Sequence, residues 1–463
     1  MINIKSWDEA IYANNAVEMN KNGNWWVMYR DGQPDFYNTK PPLVIWLQSI
    51  FISIFGLTEI AIRLPSFISL LVTVVVLFRF LQKWFHSSLL SLFSISVLLT
   101  SYGFLGFHGV ATGDLDATLC LWITLFSITI LDKVVLPEKK ISPKWVYIIG
   151  LFFVLGFLSK SSAVFLPLPG LLISVFTFKK QDIVFKNKHF YFVLFAIIAF
   201  ITVYYVLMEI KFPGYFHHAW ASEYKRIYYN VMPWHSQPFF YYIKNFSERF
   251  FPWCWLIIPS IVLGLLSKKI LIKKLTLFSA IFCITYTIIV SIPAVKLDWY
   301  DLPLYPFLAI LTGIFFSELY DRTVYLFSNN PLFKPITAFI FLAIAVPLFI
   351  SMLNNIKHPL YKEPLEKEGI ALKQLINDYS VSNLKILMRV DHPEHYSQLN
   401  FYREVFLKKR GYKPELIFTT KQLSNRDTIL VCQIALIDSI KKLKSVSTIK
   451  KVGDCLLISV GNN

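Results

Sequence analysis

Apolar runs of spanning length, repeating from residue 60 to residue 353, decide what this chain can fold into. In hydrocarbon a backbone must satisfy its own hydrogen bonds, so runs of this kind read as membrane helices. Ten are expected, near 60–82, 87–106, 115–135, 144–159, 162–178, 189–208, 252–267, 273–292, 302–319 and 334–353. Only 16% of the 463 residues are charged and 55% are hydrophobic, where a soluble domain would carry about 25% charged. The chain is therefore an all-α polytopic membrane protein over most of its length.

The net charge of +17 would suit nucleic acid, but the lysines gather in short loops between the runs. Residues 132–144 hold Lys133, Lys139, Lys140 and Lys144, and residues 179–188 hold Lys179, Lys180, Lys186 and Lys188. The stretch "SKKILIKK" adds Lys268, Lys269, Lys273 and Lys274. With ten spans all three loops fall on one side, which the positive-inside rule makes cytoplasmic. No nucleic-acid partner is expected. The opposite side receives residues 1–59, the "ATGDLD" turn, segment 209–251, the "AVKLDWY" loop and the tail after 354, which together hold nearly all the polar clusters of chemical interest.

Three parts follow: an outer-face segment 1–59 with two juxtamembrane helices, a transmembrane body 60–354, and a small soluble α/β domain over 355–463. In the last, "GIALKQLINDY" has helical spacing, while "LKILMRV", "ELIFTT", "DTILVCQIAL" and "DCLLISVG" read as strands. Cys432 and Cys455 lie in this tail and would pair if it is extracytoplasmic; Cys120, Cys254 and Cys283 read as small core residues. An outer segment of this length should follow a signal peptide or a spanning helix, and "MINIKSW" is neither, so a further helix upstream is expected. The run "KPPLVIWLQSIFISIFG" reaches about 25 Å as a helix, short for a span. It is expected to lie at the interface with Trp46 at headgroup level.

Chemistry concentrates at the front. In "SWDEAIYANNAVEMN" Ser6 and Glu9 have capping-box spacing, and Asp8 and Glu9 suit the first turn of a helix. Asp8, Tyr12 and Asn15 share one side of that helix, where a carboxylate near the membrane could act as a general base. Asp114 and Asp116 in "TGDLD" are either solvated acids at a membrane edge or site residues; an acid inside a spanning helix is costly. Lys40 and Arg63 have two readings each, a site cation or a snorkelling interface residue. His108, His217, His218 and His235 show no metal-ligand spacing, and no glycine-rich phosphate loop is present.

Three linked motifs, "DEAIYANNAVEMNKNGNWW", "YNTKPPLVIWLQSIFISIFG" and "EIAIRLPSF", resemble the front of the polyprenyl-phosphate-dependent glycosyltransferases. These are GT-C-type membrane enzymes related to the lipid A aminoarabinose transferases and the protein O-mannosyltransferases. The stretches "ATGDLDATLCLWITL", "LGFLSKSSAVFLPLPG", "PWHSQPFFYYI…FPW" and "AVKLDWYDLPLYPFLAILTG" are similar too, so the likeness runs over roughly 8–315. It implies a first spanning helix ahead of the acidic motif and amphipathic helices along the outer face. It implies Asp8 as catalytic base, Glu9 as its structural companion and Asp114 as a second acid for acceptor or metal. It implies Lys40, Arg226 and Tyr300 as contacts to the donor phosphate, with the choice between Lys225 and Arg226 open and Lys160 as a further candidate facing the site. Some members carry a metal-associated acid where this chain has Thr39, which leaves a divalent metal ion open as cofactor. The implied donor is a polyprenyl-phosphate-linked sugar and the acceptor a lipid, glycan or protein, with inversion at the sugar. The implied place is the inner membrane with a periplasmic site. The rival reading is a transporter or flippase of lipid-linked sugars, which would want ionisable residues near the bilayer midplane.

Overall fold

The computed structural model describes residues 2–138, 140–225, 233–326, 336–357, 366–378, 381–388, 396–424, 427–441 and 445–461. Two helices precede the membrane body: α1 (Asp8–Asn22) and α2 (Leu43–Phe55), with a short hairpin of β1 (Tyr29–Arg30) and β2 (Gln33–Pro34) between them. α1 ends at Gly23, whose φ of +67° lets its N–H turn back to the Met19 carbonyl. α3 (Glu59–Phe85) then opens the body.

Among the described residues seven helices are long and apolar enough to cross a membrane, α3 being the first. Three of the ten expected runs differ from single full-length helices. The 87–106 run breaks into Ser88–Leu99 and Tyr102–Leu105, and part of 162–178 continues the Pro143–Lys160 helix as a 3-10 turn before a separate helix, Leu168–Thr177. The 252–267 run is the second arm of a pair, Tyr241–Arg249 and Trp253–Leu266, bent by 113°. Pro252 stands between the arms, and proline cannot continue a hydrogen-bonded helix. Hydropathy sees composition and not these breaks.

The outer surface of the body is a belt of exposed large apolar side chains; Phe195 is 70% exposed, Ile258 74% and Phe339 72%. A soluble monomer does not tolerate such a patch, so the belt faces lipid. The ends of the helices are sorted. Lys83 pairs with Asp132 and Lys269 with Asp321 at one end, while Arg63 pairs with Glu9 and Lys160 with Asp116 at the other.

The tail folds as a five-stranded sheet in the order β4 (Glu415–Ile417), β3 (Leu384–Leu387), β5 (Thr428–Val431), β7 (Cys455–Val460), β6 (Val446–Val452). β3 pairs parallel with β4 and β5, and β7 antiparallel with β5 and β6. β6 is not among the expected strands: its "VSTIKKV" carries two lysines and sits at an edge, mostly exposed. The "IAL" end of the third expected strand instead enters a helix, Ile434–Lys441. Cys432 and Cys455 are joined by a disulfide.

The first and third parts do not pack separately. Ile11, Tyr12 and Val17 of α1 share one core with Leu372, Phe401 and Tyr402 of the tail. Polar ties reinforce it: the Ile4 N–H donates to Tyr402 Oη at 3.0 Å, Gln398 Nε2 to the Ile4 carbonyl at 2.7 Å, and Tyr402 Oη to Glu59 Oε1 at 3.1 Å. The expected Ser6–Glu9 capping box is absent because both residues are engaged elsewhere: Ser6 bonds Glu366, and Glu9 bonds Arg63. α2 buries Val44, Ile45 and Ile52 and exposes Ile54 and Phe55, with Trp46 Nε1 donating to the Trp25 carbonyl.

Candidate active site

Glu9 is the structural anchor of the front helix. Its carboxylate is buried and accepts from Arg63 Nε at 2.6 Å, Arg63 Nη2 at 2.8 Å, the Lys5 N–H at 2.7 Å and the Gly113 N–H at 2.8 Å. Arg63 also donates to the Ile2 and Asn3 carbonyls, so it faces inward and does not snorkel. Gly113 has to be glycine here: a Cβ would lie 2.6 Å from Ile62 Cγ2 and 2.7 Å from the Ile62 carbonyl oxygen. The Gly113 carbonyl accepts from Gln48 Nε2 of α2. One glutamate thus pins α1, α3 and the 112–114 turn together.

That pin brings Asp8 to Asp114. One carboxylate oxygen of each and a ring nitrogen of His108 lie within 4.8 Å of one another. Asp114 is buried; its Oδ2 accepts from Thr112 Oγ1 at 2.5 Å and lies 3.3 Å from His108 Nδ1. His108 holds a left-handed φ of +61° and stacks on Trp299 with ring centroids 3.5 Å apart. A non-glycine residue in that region carries backbone strain, which marks the position as one the surroundings enforce. Burial pushes the His108 imidazole down, but the Asp114 carboxylate, with Asp8 and Asp116 beyond it, outweighs burial and raises the pKa above the ordinary histidine value. Burial pushes Asp114 up, and His108, the Thr112 hydroxyl and Lys160 outweigh it and hold the carboxyl below its ordinary range. The phenol of Tyr12, buried beside Asp8, Asp114 and Asp116, is held well above its ordinary value by burial first and by those acids next.

A pH dependence follows. A raised histidine stabilises fully below its unfolded value of about 6.5 and loses that contribution as pH rises through the folded value. A depressed aspartate stabilises above about 3.9 and loses its contribution as pH falls through the folded value. Melting temperature measured against pH should therefore show the wild type's advantage over His108→Gln shrinking as pH rises above about 6.5. A constant difference across that range would mean the pair is not ionised as described.

Beneath this cluster the cations form a second line. Lys160 Nζ bonds both oxygens of Asp116 at 2.6 and 2.7 Å and lies 5.4 Å from the Tyr300 ring centre. Asp116 is the first residue of its helix and Lys160 the last of its own, so both stand at helix ends and not deep in a span. The next residues, Ser161 and Ser162, donate to Glu223 Oε2 at 2.7 and 3.0 Å, and Glu223 Oε1 lies 3.3 Å from Lys40 Nζ. Thr39 is buried, its Oγ1 2.9 Å from Ser222 Oγ. Asp8, Asp114, Lys160, Tyr300 and Lys40 are thus strung along one polar seam. Arg226 lies outside the described residues; Lys225 is exposed. His217 and His218 are exposed, His218 against Phe36, and take no part.

Sequence reasoning leaves three members of the seam without their roles: it discounts His108, does not single out Glu223, and names Asp116 without its partner. His108 lacks ligand spacing to any other histidine, although it stands six residues ahead of Asp114 in the loop "FHGVATGD". Glu223 and Asp116 are the ion-pair partners of Lys40 and Lys160, and nothing in their local sequence marks them as such.

The same arrangement of helices occurs in ArnT from Cupriavidus metallidurans, solved bound to undecaprenyl phosphate, with a TM-score of 0.71 over 99% of this chain and 94% of that one at 15% identity. In sequence and fold the chain is similar to polyprenyl-phosphate glycosyltransferases of the GT-C type. A family model described as dolichyl-phosphate-mannose-protein mannosyltransferase matches residues 39–206. By sequence the chain is 27% identical to the undecaprenyl phosphate-alpha-4-amino-4-deoxy-L-arabinose arabinosyl transferase 1 of Proteus mirabilis, over 68% of this chain and 56% of that one. It is likewise 27% identical to the corresponding transferase of Wigglesworthia glossinidia brevipalpis, over 66% and 53%. The chain thus matches over about half the length of these curated relatives. A more distant structure, the Archaeoglobus fulgidus oligosaccharyltransferase in complex with Zn and sulfate, matches with a TM-score of 0.51 at 13% identity, over 92% and 60%.

Proposed function

We propose that this chain is a GT-C-type glycosyltransferase that moves a sugar from a polyprenyl-phosphate carrier to an acceptor on the outer face of the membrane. The observation that carries the reading is the seam itself, a carboxylate cluster at one end and buried-side lysines at the other, all at one end of the helices. Asp8 takes the proton of the acceptor as its oxygen or nitrogen bonds the anomeric carbon. The carbon–oxygen bond to the phosphate breaks, and the phosphate leaves with the electron pair. Lys40 and Lys160, with Tyr300, supply charge and hydrogen bonds where that negative charge accumulates. Attack opposite the leaving group inverts the sugar. A transporter would place its ionisable groups at mid-span, and the seam residues stand in loops and at helix ends.

Asp8, His108 and Asp114 also suit a divalent cation: two oxygens and one imidazole nitrogen converge, and Asp114 Oδ1 is buried with no hydrogen-bond donor among the described residues. A cation held there would lower the pKa of a bound acceptor group. What supports the outer, periplasmic side is the lysine-rich character of the opposite loops and the Cys432–Cys455 disulfide, since such bonds persist in oxidising compartments.

Two measurements test this. Lys40→Ala should weaken binding of undecaprenyl phosphate by about 10–100-fold, the loss of one charge-assisted contact to phosphate; unchanged binding would remove Lys40 from the donor site. Cys455→Ser should destabilise the tail by about 2–4 kcal/mol, and in cells the wild-type chain should run faster on non-reducing gels than after reduction. A thiol pair that stays reduced in cells would place the tail on the cytoplasmic side.

A further inference from the structure

The two lysines on the phosphate side of the seam are held very differently. Lys160 Nζ bonds both oxygens of Asp116 at 2.6 and 2.7 Å, so it offers a fixed charge. Lys40 is tied loosely. Its Nζ lies 3.3 Å from Glu223 Oε1, and that buried oxygen has no hydrogen-bond partner among the described residues. Glu223 is instead fixed from its other side, where the Ser161 and Ser162 hydroxyls donate to Oε2 at 2.7 and 3.0 Å. Ser161 keeps a φ of +48°, a strained region for a residue with a side chain, so the surroundings enforce the turn that aims these hydroxyls at the carboxylate. Glu223 stands on a single π turn, Ala221–Lys225, that follows the Tyr215–Trp220 helix. Ser222 Oγ, 2.9 Å from Thr39 Oγ1, latches this turn to the segment that carries Lys40. A carboxylate fixed by two hydroxyls on one oxygen, and facing a loosely paired cation with the other, keeps its place when the cation leaves.

We propose that Glu223 is a positioning residue for the donor, a counter-ion that Lys40 leaves when the phosphate of a polyprenyl carrier arrives and regains when the carrier departs. The inference rests on the glycosyl-transfer reading, in which Lys40 contacts that phosphate, and adds the exchange to it. An unpaired ammonium in this partly buried place would be costly, and any passing anion would bind it. With Glu223 opposite, the site without donor is neutral, and a ligand has to outcompete a carboxylate that is already in place. The serine bonds make the exchange less costly, because Glu223 is never left wholly unsatisfied. The exchange also runs backwards: once the sugar has been transferred, Glu223 takes Lys40 back as the spent carrier leaves. The Lys160–Asp116 pair stays closed throughout, its two short bonds holding both charges.

The test measures undecaprenyl phosphate binding to the full chain in lipid nanodiscs, with a thermal melt of each variant. Glu223→Gln keeps the size and the serine bonds but releases Lys40, so binding should tighten by about 3–10-fold. Ser162→Ala takes one hydroxyl from Glu223 and leaves its charge more dependent on Lys40, so binding should weaken by about 2–5-fold. The opposite signs are what a merely structural Glu223 would not produce, since both substitutions would then weaken binding. In the Lys40→Ala background the gain from Glu223→Gln should fall below about twofold. Weaker or unchanged binding by Glu223→Gln, a gain that persists without Lys40, or equal or tighter binding by Ser162→Ala would overturn the proposal. If Glu223→Gln melts well below the wild type, Ser162→Ala decides alone, weaker binding supporting the exchange and equal or tighter binding overturning it. Lys40→Ala that binds as tightly as the wild type would strike the donor reading and the exchange with it. A weakened Lys40→Ala beside an indifferent Glu223→Gln would strike the exchange alone.

Discussion

Replacing Asp8 by Asn should lower sugar transfer by about 10²–10⁴-fold, the usual contribution of a positioned general base, with lipid-linked donor persisting in the membrane. Asn matches Asp in size and can still sit against His108 and Asp114, but it cannot accept a proton. The alternative role of Asp8, a first-turn acid favoured by the helix dipole, is worth only about 0.3–1 kcal/mol and would leave chemistry untouched. The two roles therefore separate cleanly by mass spectrometry of lipid-linked sugars and outer-surface glycans at equal membrane abundance. Loss of one glycan addition supports the base, and the missing mass names the sugar. Identical profiles would reduce Asp8 to a helix-starting residue and end this mechanism. Asp114→Asn should be milder, because Asp114 is buried, its Oδ2 is already engaged by Thr112 and His108, and it does not take the acceptor's proton.

Much of this site is legible in the amino-acid sequence. Asp8, Asp114, Lys160, Tyr300 and Lys40 come from separate stretches of the chain, and the seam joins all five. The four charged ones are legible because charged residues are expensive next to a membrane and stand out against an apolar background, whereas Tyr300 is legible only through the family resemblance. The partners are hidden for the same physical reason turned round: Asp116 and Glu223 are tolerated because Lys160 and Lys40 neutralise them, and pairing is a property of the fold. Helix breaks hide in the same way. The bend between Arg249 and Trp253 leaves composition unchanged, yet the Tyr241–Arg249 arm lines a cavity that His108 also lines. The tail shows a helix and most of its strands by pattern, but its packing on α1 depends on single contacts such as Tyr402 with Ile4 and Glu59, which no local pattern announces.

The second large effect is on folding. Arg63→Met should destabilise the chain by about 3–5 kcal/mol, because it leaves the Glu9 carboxylate buried without its cation. Glu9→Leu alone should cost a similar amount by stranding Arg63 and the Gly113 N–H. The double variant Glu9→Leu/Arg63→Met removes both charges at once, and a buried ion pair replaced by apolar groups is often neutral in stability. Thermal melts in one detergent should therefore show two strongly lowered single variants and a double variant well above either. Additive losses would mean the two residues stabilise the chain independently, against the bidentate geometry seen here. Activity of the double variant then carries separate information. The Glu9 carboxylate holds α1 to Gly113, and Gly113 sits between Thr112 and Asp114. A double variant that melts like the wild type but transfers sugar poorly would show that the pair sets the distance from Asp8 to Asp114, since packing alone would have preserved the fold without preserving that distance.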